Sequence, residues 1–301
     1  MKVVSIVVTY ESANTIEACL ESLLKSSEPT EVVVVDNSST DGSADFVEAN
    51  YPRVHLVRSI INLGFAGGCN LGFNQQVSKD ADMNFLLNPD ATVESDCLEE
   101  LTRAVLSDER LSAASPLLLE AGSSRIYYAG GLFNPEDLEF EFIGWGSEDL
   151  GQYESTELTG FPTGGAMLIR RSALDVIGYL DASLFLFWEE CEWTLRSRAA
   201  GYHIAFVPSA RAQHIGGHST GGYTSPLSVY YFRRNQLHFF RKVSGRSSLS
   251  IASRLAKPAL VTAARILKAE GIRRGILVGA VTCVAFFDFW RGKRGRSSMF
   301  N

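Results

Sequence analysis

At 301 residues, 46% hydrophobic and 21% charged, the chain has enough apolar sequence for one large core or two modest ones, which excludes a disordered or fibrous protein. Its net charge of −6 hides a split: residues 1–232 carry 13 Lys/Arg against 32 Asp/Glu, whereas residues 233–301 carry 15 against 2. The basic tail suits an anionic membrane surface or phosphate groups, and with no recognised nucleic-acid motif beside it, nucleic acid is not an expected partner.

The N-terminus, MKVVSIVVTYES, lacks the cleavage pattern of a secretory signal and reads as a first strand over Val3–Thr9. A helix over Asn14–Ser26 follows, with Asn14 and Glu17 at capping-box spacing, then a strand over Glu31–Asp36 whose VVVVD run suits a parallel strand covered on both faces. Next come a helix (Ser43–Asn50), a strand (Val54–Arg58), a helix after Gly68, a strand (Met83–Leu87), a helix (Ser95–Leu106) and a strand (Leu111–Ser115). This alternation predicts an α/β class with a Rossmann-like, mostly parallel sheet flanked by helices.

Between Glu120 and Thr159 periodicity is lost and glycine, acid and aromatic residues accumulate, as in a long insertion. A strand over Gly164–Arg170, helices near Ser172–Ile177 and Glu190–Ala200, and a strand over His203–Val207 follow; beyond Pro226 the chain turns helical and basic. The expected organisation is a body over 1–232, halved near residue 118, and a helical basic region over 233–301. The apolar run Ile276–Phe287 falls short of the roughly 20 residues a membrane span needs, so either a helix at a membrane surface or one docked on the core is expected. Five scattered cysteines (Cys19, Cys69, Cys97, Cys191 and Cys283) form no CxxC pair, which fits a reducing cytoplasm better than a disulfide framework or zinc site.

In doubly wound sheets ligands bind beyond the carboxyl ends of strands, which singles out Thr9, Tyr10 and Glu11, then Asp36 and Asn37, then Asn88-Pro89-Asp90. Each group also has a local reading, Asp36 as a cap with Ser38 and Ser39, Asp90 as a turn residue. A nucleotide-sugar site needs acceptors for base or ribose and oxygen ligands for a cation beside the diphosphate, which Asp36 and Asp90 can supply. Neither GxGxxG between strand and helix nor GxxxxGK[ST] is present. In INLGFAGGCNLGF, Gly64, Gly67 and Gly68 allow either close approach to phosphate or tight helix packing.

The segments SIVVTYES, VVVVDNSSTDGS, INLGFAGGCNLGF, FLLNPDATV, TGGAMLIRR, LFLFWEECEWTLRSRAAGY and HIGGHS resemble, in order and spacing from residue 3 to about 240, the family 2 glycosyltransferases, especially their bacterial rhamnosyltransferase-like branch. The resemblance implies a GT-A fold and inverting transfer from a nucleoside diphosphate sugar to a hydroxyl. It implies nucleotide contacts by Thr9, Tyr10, Glu11, Asp36, Asn37, Asn62, Gly64, Asn70 and Asn88. Asp90 takes the DxD-type place that holds Mn2+ or Mg2+, with Asn88 where an aspartate is usual. Glu190, second of an acidic pair with Glu189, takes the place of the general base, and one methylene more than Asp displaces its carboxylate by about 1 Å. His214 takes the place of a metal or diphosphate ligand, with His218 a rival and Gly216 and Gly217 supplying mobility. Arg234, beside Asn235, is implied to bind diphosphate. Thr163, Gly164, Gly165, Trp188 and Glu192, with Trp145, are placed on the acceptor side.

The expected donor is dTDP-L-rhamnose, the acceptor a polyprenyl-linked glycan of a cell-surface polysaccharide, and the location peripheral at the cytoplasmic membrane's inner face. UDP-sugar donors (galactofuranose, glucose or N-acetylhexosamine) and a non-catalytic nucleotide-sugar-binding subunit are the alternatives, and a nucleotidylyltransferase is disfavoured by TYESANT where such enzymes carry a basic glycine-rich loop.

Overall fold

The computed structural model describes residues 1–134, 136–216 and 221–300. It separates into two compact units, one comprising Met1–Leu132, Glu141–Ala182 and Glu189–Gly216, the other Phe133–Phe140, Ser183–Trp188 and the described residues of Gly217–Asn301.

The first unit starts with β1 (Val3–Thr9), α1 (Ile16–Leu24), β2 (Thr30–Asp36), α2 (Ser43–Asn50), β3 (His55–Arg58), α3 (Gly64–Phe73), α4 (Gln76–Lys79) and β4 (Met83–Leu87). Then come β5 (Ala91–Val93), α5 (Cys97–Ser107), β6 (Leu111–Glu120), β7 (Ile126–Tyr128), the pair β8 (Gly131–Asn134) and β9 (Glu139–Phe142), whose linked ends Phe133–Phe140 are assigned to the second unit, and β10 (Glu157–Leu158). After these run β11 (Ala166–Arg170), α6 (Arg171–Ile177), α7 (Glu189–Ala199) and β12 (His203–His214). The main sheet has the order β10-β12-β6-β11-β4-β1-β2-β3, with β5 paired to β12 and β7 to β6. β1, β2, β3 and β4 run parallel, as do β6 and β12, while β11 is antiparallel to β4 and β6. The expected α/β class with a mostly parallel sheet is therefore present. Every residue of β1 and β4 is buried, which is why their sequences are mostly apolar, with Ser5, Thr9 and Asn84 as buried polar exceptions.

Local differences from the sequence expectation have physical causes. α1 begins two residues later than expected, capped by Thr15 without a side-chain hydrogen bond, so Asn14 and Glu17 form no capping box. α3 starts inside the glycine run: an added Cβ on Gly68 would lie 2.5 Å from Val8 Cγ1, and one on Gly72 2.4 Å from Ile6 Cγ2. These glycines serve helix-on-strand packing, and Gly64, at φ +74°, supplies the turn into the helix. The region after Glu120 contains the short strands β7 to β10, too brief to leave a periodic pattern. β12 runs seven residues further than expected, with a bulge between Val207 and Arg211.

The second unit holds α8 (Pro226–Ser244), α9 (Ser248–Glu270) and α10 (Ile272–Trp290). Its core includes Phe185, Tyr230, Tyr231, Val281 and Ala285, and the Tyr230 hydroxyl donates to Asp288 Oδ2 at 2.7 Å. Because α8 packs on α10 in this way, the helical unit includes residues before 233 and takes in two short segments of the preceding chain.

Gly72→Ala is expected to destabilise the protein by about 1–3 kcal/mol despite the better helix propensity of alanine, since the β-branched Ile6 cannot yield without moving β1. A chemical-denaturation midpoint unchanged from the parent would contradict this packing account.

Candidate functional site

The carboxyl ends of β1 and β2 lie side by side, with Thr9 opposite Asp36. The Asn37 backbone N–H donates to Thr9 O at 2.8 Å, and Asp36 Oδ1 accepts from Ser39 N–H at 3.2 Å. This bond closes a turn and does not cap α2, whose N-cap is Gly42; there Ser43 N–H donates to Asp41 Oδ1 at 3.0 Å. Asn37 is a structural hub: its amide donates to Asn62 Oδ1 (3.1 Å) and Gly64 O (3.0 Å), and its Oδ1 accepts from Leu63 N–H at 2.8 Å. Asn62 Oδ1 also accepts from Gly64 N–H, so the loop before α3 is locked to the end of β2. Glu11, at φ 51°, accepts from the backbone and hydroxyl of Thr40. Tyr10 is half-buried between these groups in the chain, and Thr9 Oγ1 is buried with no hydrogen-bond partner among the described residues.

Beyond β4, Asn88 N–H donates to Gly165 O at 3.0 Å, and β5 then pairs antiparallel with β12, setting His214 opposite Ala91. That register brings together the three polar groups of the centre. His214 Nε2 lies 3.0 Å from Asp90 Oδ1 and 3.2 Å from the Asn88 amide nitrogen. His214 and Asp90 are both buried, and His214 Nδ1 has no hydrogen-bond partner among the described residues. Tyr127 packs edge-on against the imidazole, ring centroids 4.9 Å apart at 89°, and Trp145 lies on Tyr127 at 5.3 Å with half its surface exposed.

Thr163, Gly164 and Gly165 pass beside this centre. Thr163 N–H donates to Ser115 Oγ at 3.1 Å, and Thr163 Oγ1 accepts from Gly165 N–H at 3.2 Å. A Cβ on Gly165 would sit 3.5 Å from His214 Cε1, and one on Gly164 3.4 Å from Phe65 and 3.8 Å from Glu190 Cδ. The two glycines therefore lie between the Asp90–His214 pair and Glu190.

Glu189 and Glu190 occupy the first turn of α7, where the helix dipole favours negative charge. Glu189 is buried, whereas Glu190 keeps a solvent-accessible edge. Burial pushes the Glu190 carboxyl up to about 7, opposed by its own and the Gly164 backbone N–H groups. Burial, and then the charges of Glu189 and Glu190, also push the thiol of Cys69 on α3 upward.

Several sequence expectations meet a different arrangement. Arg234 is buried, and its guanidinium donates to Leu184 O (3.0 Å), Gly295 O (2.7 Å) and Asn235 Oδ1 (3.0 Å), so those donors are committed within the second unit rather than offered to a diphosphate. Trp188 is buried among Phe140, Phe232, Phe239 and Phe240, with its indole N–H donating to Phe232 O at 3.1 Å. Glu192 is buried and paired bidentately with Arg196, which also binds the carbonyls of Ile177 and Tyr179. Asn70 clamps the Leu180 backbone through both amide atoms. Gly217 and His218 lie outside the described residues. Phe65 and Tyr127 were not singled out by sequence; Phe65 had only the weak signal of an aromatic inside the glycine run.

The chain matches the description Glycosyl transferase family 2 over residues 5–178, more than half its length. It belongs to that family. Among curated relatives, the N-acetylglucosaminyl-diphospho-decaprenol L-rhamnosyltransferase of Mycobacterium tuberculosis is 28% identical over 242 residues, covering 72% of this chain and 76% of the relative. The dTDP-rhamnosyl transferase RfbF of Shigella flexneri is 23% identical over 256 residues, covering 82% and 83%. Among solved structures, GalNAc-T7 with UDP, GalNAc and Mn2+ superposes with a TM-score of 0.60 at 17% identity over 78% of this chain, which spans about half (47%) of that one. This family 2 glycosyltransferase thus has the GT-A fold and resembles the rhamnosyltransferase branch.

Among the described residues no three His, Cys, Asp or Glu side chains converge as a metal cage. The Asp90–His214 pair nevertheless fits a divalent cation, since a carboxylate oxygen faces an imidazole nitrogen at 3.0 Å. Mg2+ and Mn2+ commonly complete their coordination with water and substrate phosphate.

Because the folded Glu190 holds its proton up to about 7, against 4.5 ordinarily, its ionisation opposes folding as pH rises through that interval. Glu190→Gln is therefore expected to raise the melting temperature more at pH 8 than at pH 5, values chosen to bracket that interval. Equal shifts at both would contradict a perturbed carboxyl.

Proposed function

We propose that this glycosyltransferase is an inverting enzyme moving L-rhamnose from dTDP-L-rhamnose onto a hydroxyl of a lipid-linked glycan. The observation that carries the reading is Glu190, a partly accessible carboxyl at the head of α7 whose proton affinity burial has brought near neutrality. A carboxylate so poised takes the acceptor hydroxyl proton as the oxygen attacks the anomeric carbon, and it does so in its ionised form. The relatives named for rhamnosyl transfer support the donor, and the decaprenol-linked substrate in one relative's name supports a lipid-linked acceptor.

In this reading Asp36 accepts from the base or ribose, and Thr9, Tyr10, Glu11 and the Asn37–Asn62–Gly64 loop shape the nucleotide pocket. Asp90 and His214 would hold Mn2+ or Mg2+, and Asn88 would bond the ribose or a water on the ion. Such a cation would supply positive charge to the departing diphosphate. Gly164 orients Glu190 through its backbone N–H, Thr163 fixes the Gly164–Gly165 turn, and Trp145 offers an aromatic face to a sugar.

Four measurements test the proposal. Activity as kcat/KM should rise with pH through about 7 and level off above it, the limb belonging to Glu190. Glu190→Gln should lower kcat by about 1000-fold or more while donor binding persists, and Asp90→Ala should abolish metal-dependent donor binding. Thermal shift with nucleoside diphosphate sugars should show selective stabilisation by dTDP-rhamnose; a UDP-sugar preference would reject the donor assignment, and transfer surviving Glu190→Gln would reject the base.

A further inference from the structure

We infer that the outward face of α10, together with the end of α9, is a docking surface for an anionic lipid bilayer. The inference concerns the second unit alone and does not depend on the transfer chemistry.

The inner face of α10 is spent on packing. Val278, Val281, Ala285 and Phe289 are buried, and Asp288 is buried and paired with Lys293 and the Tyr230 hydroxyl. Gly275 brings α10 close to α9, since a Cβ there would lie 2.3 Å from Leu267 Cβ, and Gly271, at φ +93°, makes the turn between the helices. The hairpin is therefore fixed from within.

Its outer face is apolar where a solvated helix should be polar. Ile276, Ala280, Cys283, Phe287 and Trp290 recur at steps of four and three residues, which sets them in one stripe. All five are exposed, with Ile276 at 63%, Phe287 at 59% and Trp290 at 66%. No charged residue interrupts the stripe. Near the end of α9, Leu267, beside Gly275 of α10, is exposed as well, as are Leu260 and Val261 earlier on that helix. An exposed apolar stripe of this kind marks a contact surface.

Charge selects the occupant. Arg273 and Arg274 stand before the stripe and Arg291, Lys293, Arg294 and Arg296 after it, with Lys257, Arg265 and Lys268 along α9. From residue 248 onward the only acids are Glu270 and the buried Asp288. Two copies of this hairpin, seam to seam, would oppose one excess of positive charge to another. A bilayer with anionic headgroups accepts both parts, cations at the headgroups and the stripe at the acyl boundary, with Trp290 at the level where indole rings favour the interface. No helix among the described residues is long and apolar enough to cross a membrane, so the helix would lie on the surface.

The test is co-sedimentation of the full chain with phosphatidylglycerol–phosphatidylcholine vesicles and with pure phosphatidylcholine vesicles. Binding to the anionic vesicles is expected, weakened about tenfold or more by Ile276→Asp with Phe287→Asp, and similarly by Arg273→Gln with Arg291→Gln. The second pair alters charge without touching the core, and so carries the test should the aspartates disturb folding. Brominated lipid should quench fluorescence that Trp290→Phe removes. Absence of binding, equal binding to both vesicle types, or binding indifferent to both pairs would overturn the inference. A concentration-dependent dimer dissolved by the aspartate pair, without vesicle binding, would overturn it in favour of a second copy of the chain.

Discussion

The site depends on two missing side chains. At Gly164 and Gly165 the backbone passes between an imidazole–carboxylate pair and a glutamate, at distances where even a methyl group would be in contact with His214 on one side and with Phe65 and Glu190 on the other. Close backbone approach does two things at once. It offers an N–H group to Glu190, and it leaves the space beside His214 free of side-chain atoms. Larger residues would fill that space and separate the groups the sheet topology has brought together.

Opposing influences meet at Glu190. The head of α7 and two backbone N–H groups favour the carboxylate, while burial favours the acid, and burial prevails by enough to bring the group near neutrality. Glu189, the residue before it, is the more fully enclosed of the two. Within the second unit, Asn235 donates from one amide to the carbonyls of Leu184, Leu186 and Phe187, and Arg234 adds a further bond to Leu184. Three residues of that segment, Phe185, Phe187 and Trp188, sit at positive φ without being glycine. Side-chain bonds to the carbonyls retain a backbone that would otherwise relax.

Much of the fold was legible because the strands β1, β2 and β4 are buried on both faces and rich in β-branched or apolar residues, leaving little room for another reading. Order and spacing of the polar groups at strand ends singled out Asp36 and Asp90 as candidates, while Glu190 and His214 came from the family resemblance; the structure sets Asp90 beside His214. What sequence could not reveal was direction. Arg234 and Glu192 carry the charges expected of a binding site, yet each is consumed by an internal partner, and nothing in composition distinguishes a buried arginine from an available one. Trp145 and Trp188 looked alike in sequence and differ in surroundings: one stands partly in solvent beside Tyr127, the other is closed within an aromatic core. The short strands after Glu120 run two to four residues each, too few for a period to show, and the end of β12 was hidden because Ser209, Arg211 and Gln213 interrupt its apolar character.

The irregularity within β12 acts as a ruler. Val207 pairs with Pro116 and Arg211 with Leu117, so Pro208, Ser209 and Ala210 are looped out against no residues of the neighbouring strand. Side chains alternate along a strand, and a slip of one position exchanges its two faces. The length of this insertion therefore decides whether His214 or its neighbour Gln213 arrives opposite Glu120 of β6. An insertion shorter or longer by one residue would leave the sheet intact and the strand apolar where it must be, yet would turn the histidine away from Asp90. Spacing between Val207 and His214 is accordingly as much a determinant of the site as the identity of either residue that meets there.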